Sequence, residues 1–355
     1  MKIGIDTQST CGEKTGIGYY TKSLIEEFER IGNVELKYYS DRQKTDLNTL
    51  ERMYWENMAL PSAAVKDKID LLHIPGFAGP RMKGKFKKVT TINDLIGMIY
   101  PQNLNRVSRF YWQRWLPACA KNSDAIIAIS EHTKRDIVKL LGVPEEKIHV
   151  ILLAADSKFY PIAEKESLEK VRQKYDLPHD FMLHLGTIEP RKNITGLVEA
   201  FAGYVLENDP DLHLVLAGKK DWGYEQVYQK LEKLNVSSWV KFIDYVDDAD
   251  MSAIYNLAKF FVYPSFYEGF GLPVLEAMAC GTAVICSNTS SLPEVVGDAA
   301  ILIDPNNIGE LKEKIRELDT NASLRAELSE RAIHQAGKFS WKKTAEQTLE
   351  VYKKL

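Results

Sequence analysis

Two stretches of the chain hold the residues best suited to chemistry. In SFYEGFGLPVLEAMACGTAVI, residues 265–285, Glu268 and Glu276 flank Gly269, Phe270, Gly271 and Leu272 at what reads as the entrance to a helix. In HLGTIEPRKNITGLVEAF, Arg191 and Lys192 stand side by side after an apolar strand and before a helix that Asn193 can cap. A helix N-terminus, with its unpaired N–H groups and positive dipole end, favours an anion. Adjacent cations at a strand's carboxyl end suit a diphosphate leaving group. Carboxylates accept hydrogen bonds from the vicinal hydroxyls of a sugar. A nucleotide sugar satisfies all three at once. Taken singly, each feature has a plainer account: carboxylates near a helix start, worth ~0.3–1 kcal/mol each, and a solvated surface pair of cations.

The first half adds weaker signals. Gly16 and Gly18 open a helix soon after the first strand, but Thr21 stands where a dinucleotide fingerprint needs its third glycine, which argues against NAD. Asp94 follows Asn93 at the end of the strand TTI, placed to bind a hydroxyl or to cap the turn. His73 ends another strand and is read mainly as structural, with a place lining a cleft as the alternative; His184 lies inside a buried strand pattern and is structural. PRMKGKFKK and NRVSRFYWQRW interleave cations with aromatics, which fits either a packed helix beside a solvated loop or a face lying on an anionic membrane. Asp247, Asp248 and Asp250 read as a helix start rather than a metal clamp, so no metal is expected.

These residues need elements to hold them. Short β-branched runs alternate with helical patterns through most of the 355 residues, lapsing between about 155 and 180. Alternation of this kind gives parallel sheets covered on both faces. Two such series predict an α/β protein of two doubly wound, Rossmann-like domains: residues 1–155, a linker over 156–180, and residues 181–339. The final helix, 340–355, is expected to return to the first domain, with Trp341, Ala345, Leu349 and Tyr352 as its buried stripe. Ligands of such sheets sit beyond the carboxyl ends of the strands.

Bulk properties exclude several classes. The net charge of -3 is too near neutral for a dedicated nucleic-acid binder, although residues 1–150 carry +5 and the remainder -8. The four cysteines are scattered, so reduced thiols in a cytoplasmic protein are expected, without structural zinc. No apolar run is long enough to span a bilayer, and the start lacks a signal-peptide pattern.

TIEPRKN, followed some 75 residues later by YEGFGLPVLEAMACGTAVI, resembles the family-4 retaining glycosyltransferases of the GT-B fold. ISEHTKRDI, SLPEVVGDAA and FSWKKTAE extend the resemblance over nearly the whole chain. It implies two Rossmann-like domains facing across a cleft, with Arg191 and Lys192 on the donor pyrophosphate, Glu268 toward the transferred sugar and Glu276 on the ribose. Backbone N–H groups around Phe270, Gly271 and Leu272 complete the donor contacts, and the Gly16–Gly18 loop lets backbone approach a phosphate or the acceptor. The donor implied is a GDP-sugar, GDP-mannose first, with UDP-sugars close behind; the acceptor is a carbohydrate or a lipid-linked sugar, and no separate cofactor is needed. A nucleotide-sugar epimerase of the same fold, a glycogen-phosphorylase-like enzyme, for which no segment suggests the pyridoxal lysine, and a non-catalytic binding subunit are the rival readings.

Two positions depart from the family pattern. Thr187 stands where many members have a further arginine, leaving Arg191 and Lys192 to carry the phosphates. Asn93 stands where relatives have a histidine before the aspartate, so no histidine titrates there. The remaining cleft groups are expected to titrate far from neutrality unless strongly shifted, carboxylates near 4 and lysine and arginine above 10.

Overall fold

The computed structural model describes residues 1–355 apart from 13–15, 42, 43, 77 and 83, with only the backbone of residue 103. The chain forms two compact units, Met1–Leu153 together with Ser340–Leu355, and Ala154–Phe339.

The first unit is built on a parallel sheet of β1 (Lys2–Asp6), β2 (Glu35–Tyr39), β3 (Leu71–Ile74), β4 (Lys87–Ile92), β5 (Ala125–Ala128) and β6 (Ile148–Val150). Their order is β2-β1-β3-β4-β5-β6. The second unit's parallel sheet holds β7 (Phe181–Leu185), β8 (His213–Ala217), β9 (Val240–Ile243), β10 (Phe260–Tyr263), β11 (Val284–Ser287) and β12 (Ile301–Ile303). Its order is β12-β11-β10-β7-β8-β9.

Why these runs become central strands is visible in their burial. Every residue of β7, β10 and β11 is buried. Successive side chains point to opposite faces, so Met182 and Val262 join one core while Leu183 and Phe261 join the other. The helix Ile194–Asn208 covers the first face and the helix Leu272–Ala279 the second. A one-residue slip would swap the two sets of side chains and is resisted on both faces.

Residues 156–180, expected as a linker, are part of the second unit. Phe159 and Leu177 are buried in its core, and the helix Lys165–Lys174 packs on the helix Met251–Leu257. Lys174 bonds Asp247 at 2.5 Å and Asp250 at 2.6 Å, and Tyr175 donates to Asp250. The acidic run thus serves a helix entrance and its neighbour.

The last helix, Trp341–Lys353, packs along the helix Gly16–Ile31 of the first unit. Ser340 caps it through a hydrogen bond from the Lys343 N–H, and Thr344 donates to the Leu152 carbonyl at 2.7 Å. Ala345, Leu349 and Tyr352 are buried, whereas Trp341 is half-buried beside Tyr20. Tyr352 lies against Phe28, and its hydroxyl meets His73 Nδ1 at 2.6 Å.

Tyr352→Ala removes a buried ring and leaves a buried imidazole nitrogen without its partner. It should cost about 3–5 kcal/mol in urea unfolding, against about 1–3 kcal/mol for Tyr352→Phe. Equal midpoints for wild type and Tyr352→Ala would show that the last helix contributes nothing to the unit.

Candidate active site

β7 and β10 are neighbours, yet the chain continues from β7 toward β8 on one side and from β10 toward β11 on the other. The loops leaving them therefore diverge, and a crevice opens beyond their carboxyl ends. Arg191 and Lys192 stand in the short turn after β7, and Glu268 in the loop after β10.

The three side chains converge on one atom. Glu268 Oε1 receives Lys192 Nζ at 2.7 Å and Arg191 Nη1 at 2.9 Å. Arg191 also donates to the Tyr267 carbonyl at 2.6 Å and pairs with Glu189 at 2.5 Å. Lys192 donates to the Tyr263 hydroxyl at 2.5 Å, its ammonium 4.9 Å from the centre of that ring. His184 stacks on the other side of the network, 5.4 Å from Tyr263, and bonds the Val262 carbonyl through Nδ1. Lys192 and Glu268 are only 7% and 8% exposed, so the pairing offsets a large loss of hydration.

The electrostatics follow from that enclosure. Burial alone would raise the Glu268 carboxyl, but Lys192 and Arg191 overcome it and hold the group down at about 2. Burial opposes the charge on Arg191, yet Glu268 and Glu189 hold its pKa above the ordinary value. Burial lowers the Lys192 ammonium despite Glu268. The result is a fixed carboxylate between two cations at a strand end.

The loop after β10 is shaped by Gly271. Its φ is +100°, and a Cβ there would lie 2.5 Å from Leu292 Cδ2, so a side chain is excluded twice over. Pro273 falls in the first turn of the helix Leu272–Ala279, and Gly281 follows its end with φ +75°. Phe270 is buried, its ring edge-on to Phe339. Ser290 and Ser291 staple the loop: Glu268 N–H donates to Ser290 Oγ, and Ser291 Oγ donates to the Glu268 carbonyl, each at 3.0 Å.

Two expectations change here. Asn193 does not cap the following helix; its φ is +57° and its amide donates to the Pro305 carbonyl at 2.7 Å, anchoring the turn to another loop. Glu276 does not titrate near 4. It is partly buried, accepts a hydrogen bond from Tyr255 at 2.9 Å, and is raised to about 7 by loss of hydration.

In the first unit the chain continues from β1 to β2 on one side and from β3 to β4 on the other. Gly16 begins the helix that follows β1, and Gly18 is buried within it; residues 13–15 of the same loop lie outside the described residues. A Cβ on Gly76, after β3, would lie 2.3 Å from Ile17 and 3.2 Å from Asn93 Nδ2, so this approach requires glycine. Asn93 donates to the Pro75 carbonyl at 3.2 Å. Asp94 accepts from the Ile96 N–H at 3.0 Å, capping the turn. Strand ends thus gather Gly76, Ile17, Asn93 and Asp94 in one place. His73 is not among them: it is buried between Thr91 Oγ1 at 2.8 Å and Tyr352, and burial lowers its pKa to about 3.

Sequence reading missed Tyr263, Tyr255, Glu189 and the Ser290–Ser291 pair. The serines left a trace in the hydroxyl-rich run SNTSS, but nothing local says which loop they hold. Among the described residues no group of three or more His, Cys, Asp or Glu side chains could hold a metal ion.

Comparison with known proteins shows a family and a fold. Residues 167–335 match the model for glycosyl transferases group 1, and residues 21–158 that for glycosyltransferase family 4. The chain is 36% identical over 294 residues to O-antigen chain mannosyltransferase B of Escherichia coli, covering 82% of this chain and 76% of that protein. It is 33% identical over 276 residues to the serotype-specific mannosyltransferase WbdA of Escherichia coli, covering 76% of this chain but only 34% of that protein. In fold it is similar to Anabaena Alr3699/HepE, solved in complex with UDP-glucose, at a TM-score of 0.79 and 18% identity over the whole of both chains.

The raised Glu276 pKa has a consequence for stability. The group's contribution is fully present below its unfolded value of 4.5 and is lost as pH rises through about 7. Glu276→Gln should therefore gain stability relative to wild type across that window. A melting-temperature difference that stays constant from pH 4.5 to 7.5 would place the titrating group elsewhere.

Proposed function

The chain belongs to the family-4 glycosyltransferases of the GT-B fold, and from that premise we propose that it moves mannose from GDP-mannose to a carbohydrate or lipid-linked acceptor, with retention at the anomeric carbon. The observation that carries this reading is the convergence of Arg191 and Lys192 on Glu268 at the β7–β10 switch point. Choice of mannose rests on the likeness to the two mannosyltransferases. UDP-glucose in a protein of the same fold keeps a UDP-sugar as the alternative donor.

In this reading Arg191 and Lys192 bind the diphosphate, helped by backbone N–H groups of Gly269, Phe270, Gly271 and Leu272 at the helix entrance. Glu276 holds the ribose diol. Glu268 faces the sugar: with one oxygen already shared by two cations and its pKa at about 2, it is a poor nucleophile and a good fixed acceptor for hydroxyls. The bond from the anomeric carbon to the diphosphate oxygen breaks, that oxygen taking the electron pair. The acceptor hydroxyl bonds the same carbon on the same face, and its proton passes to the departing diphosphate. Asp94 and Asn93 orient hydroxyls of the acceptor, and the Gly16–Gly18 turn brings backbone near a substrate. The cations take the electrostatic role that a metal has in other transferases, so the reaction needs no cofactor.

Thermal-shift measurements with GDP, UDP, ADP and their sugars test the donor, since a ligand stabilises by its concentration relative to its dissociation constant. Stabilisation by GDP and GDP-mannose above the others is expected; a preference for UDP would reassign the donor, and no response to any would remove the reading. Lys192→Ala should lower kcat by roughly 10²–10³-fold, and activity should survive EDTA. Glu276→Ala should weaken donor binding by about 1.5–3 kcal/mol.

The pH profile separates two groups. Diol hydrogen bonds favour ionised Glu276, so donor affinity should rise as pH rises through about 7. With His73 neutral and Asn93 unable to titrate, the rate at saturating donor should stay flat from about pH 6 to 8. An inflection in that saturated rate near 6.5 would show a titrating group that this assignment omits.

A further inference from the structure

Four charged side chains meet beyond the end of β7, and their charges cancel. Arg191 and Lys192 both pair with Glu268, and Arg191 pairs as well with Glu189 from its own turn. Two cations and two carboxylates leave no net positive charge for an incoming diphosphate. A site built only to attract phosphate would omit one acid, so the second carboxylate needs an account. Glu268 is buried and grips both cations, whereas Glu189 is half-buried and holds Arg191 through Oε1 alone. Among the described residues no other side chain bonds to Glu189.

The guanidinium shows what that oxygen keeps out. Nη1 is taken by the Tyr267 carbonyl and by Glu268 Oε1. Nη2 and Nε form the other edge of the planar group, a fork that can grip two oxygens of one phosphate side by side. Here Nη2 meets Glu189, and Nε is buried with no partner among the described residues. A buried donor left unpaired is costly, and a single carboxylate oxygen on Nη2 satisfies only half of this edge. Rotation of the Glu189 side chain frees the edge without disturbing the turn, because the backbone on either side is fixed separately. The Ile188 N–H donates to the Lys219 carbonyl at 2.9 Å, and the Asp221 N–H donates to the Ile188 carbonyl at 3.2 Å. Pro190 lies so near Gly223 that a Cβ there would be 2.9 Å from its ring. Arg191 meanwhile keeps Tyr267 and Glu268.

We propose that Glu189 is a placeholder for phosphate on the Nε–Nη2 edge of Arg191: it holds that edge in the empty site, yields it to the donor diphosphate and reclaims it after transfer. The proposal rests on the reading of Arg191 and Lys192 as the diphosphate clamp. A resident carboxylate competes hardest with the spent nucleotide. In the donor, the terminal phosphate is esterified to the sugar and carries one negative charge. Transfer breaks the bond from the anomeric carbon and leaves its electron pair on that phosphate; the proton received from the acceptor is then lost to solvent. The freed terminal phosphate carries about -1.5 to -2 at neutral pH. Repulsion from Glu189 therefore favours the donor over its product and over free pyrophosphate. Glu189 acts through Arg191, so it determines specificity without touching the reacting atoms.

Calorimetry on the full chain tests this with pyrophosphate, and with GDP and UDP beside GDP-mannose and UDP-glucose. Glu189→Gln keeps the shape and an oxygen for Nη2 while removing the charge. It should bind pyrophosphate roughly tenfold more tightly than wild type, a modest figure for removing a like charge from a half-buried site. The preferred nucleoside diphosphate should tighten by a similar factor and its sugar ester by less. Glu189→Ala, which removes the placeholder altogether, should also tighten pyrophosphate binding. Unchanged or weaker pyrophosphate binding in both variants overturns the proposal and makes Glu189 a support for Arg191. Lys192→Ala separates the two readings: loss of pyrophosphate binding there upholds the clamp even where Glu189→Gln fails to tighten it, and absence of binding throughout removes both.

Discussion

One carboxylate oxygen organises the second unit. Glu268 Oε1 takes a hydrogen bond from the ammonium of Lys192 and another from the guanidinium of Arg191; Lys192 is held further by Tyr263 at the end of β10, and Arg191 by Glu189 and Tyr267 in the loops after β7 and β10. Buried charges of this kind are costly unless paired, and removing one partner leaves the other stranded. The arrangement therefore fixes two loops to each other before any ligand arrives. Preorganised charge is what phosphoryl-bearing leaving groups require, because the protein need not reorient dipoles as negative charge develops.

The pairing depends in turn on sheet topology. Loops leaving adjacent strands converge on a common ligand only where the chain turns away in opposite directions, and β7 with β10 form that place in the second unit. Apolar residues on both faces of these strands hold the register, so each loop starts from a fixed position. The same logic places Gly76 against Ile17 and Asn93 in the first unit, where β1 and β3 part. Scaffold stability and site geometry are thus the same constraint.

Burial also sorts the titrating groups. Two carboxylates on one loop and helix, Glu268 and Glu276, are driven apart to about 2 and about 7 because two cations outweigh burial at the first, while burial outweighs the Tyr255 hydrogen bond at the second. His73 is made inert by its enclosure between Thr91 and the last helix. Identical residue types acquire distinct behaviour through their neighbours.

Two parallel sheets were legible in the residues, because largely apolar runs such as FMLHL and FFVY are buried with helices on both faces. The sequence also marked Arg191, Lys192, Glu268 and Gly271, whose types at strand and helix ends point to a phosphate and a sugar. The return of the last helix was legible from its period, since an amphipathic stripe must find a core. Tertiary structure alone decided the rest. That Asn193 would reach Pro305, 112 residues away, rather than cap its own helix depends on which loops lie side by side. Tyr263 beneath Lys192, Tyr255 on Glu276 and the serines under Glu268 come from a strand, a helix and a loop distant along the chain. Charge and burial are pairwise properties of the folded chain: a residue's type states what it can do, and only its neighbours set its hydration, partners and pKa.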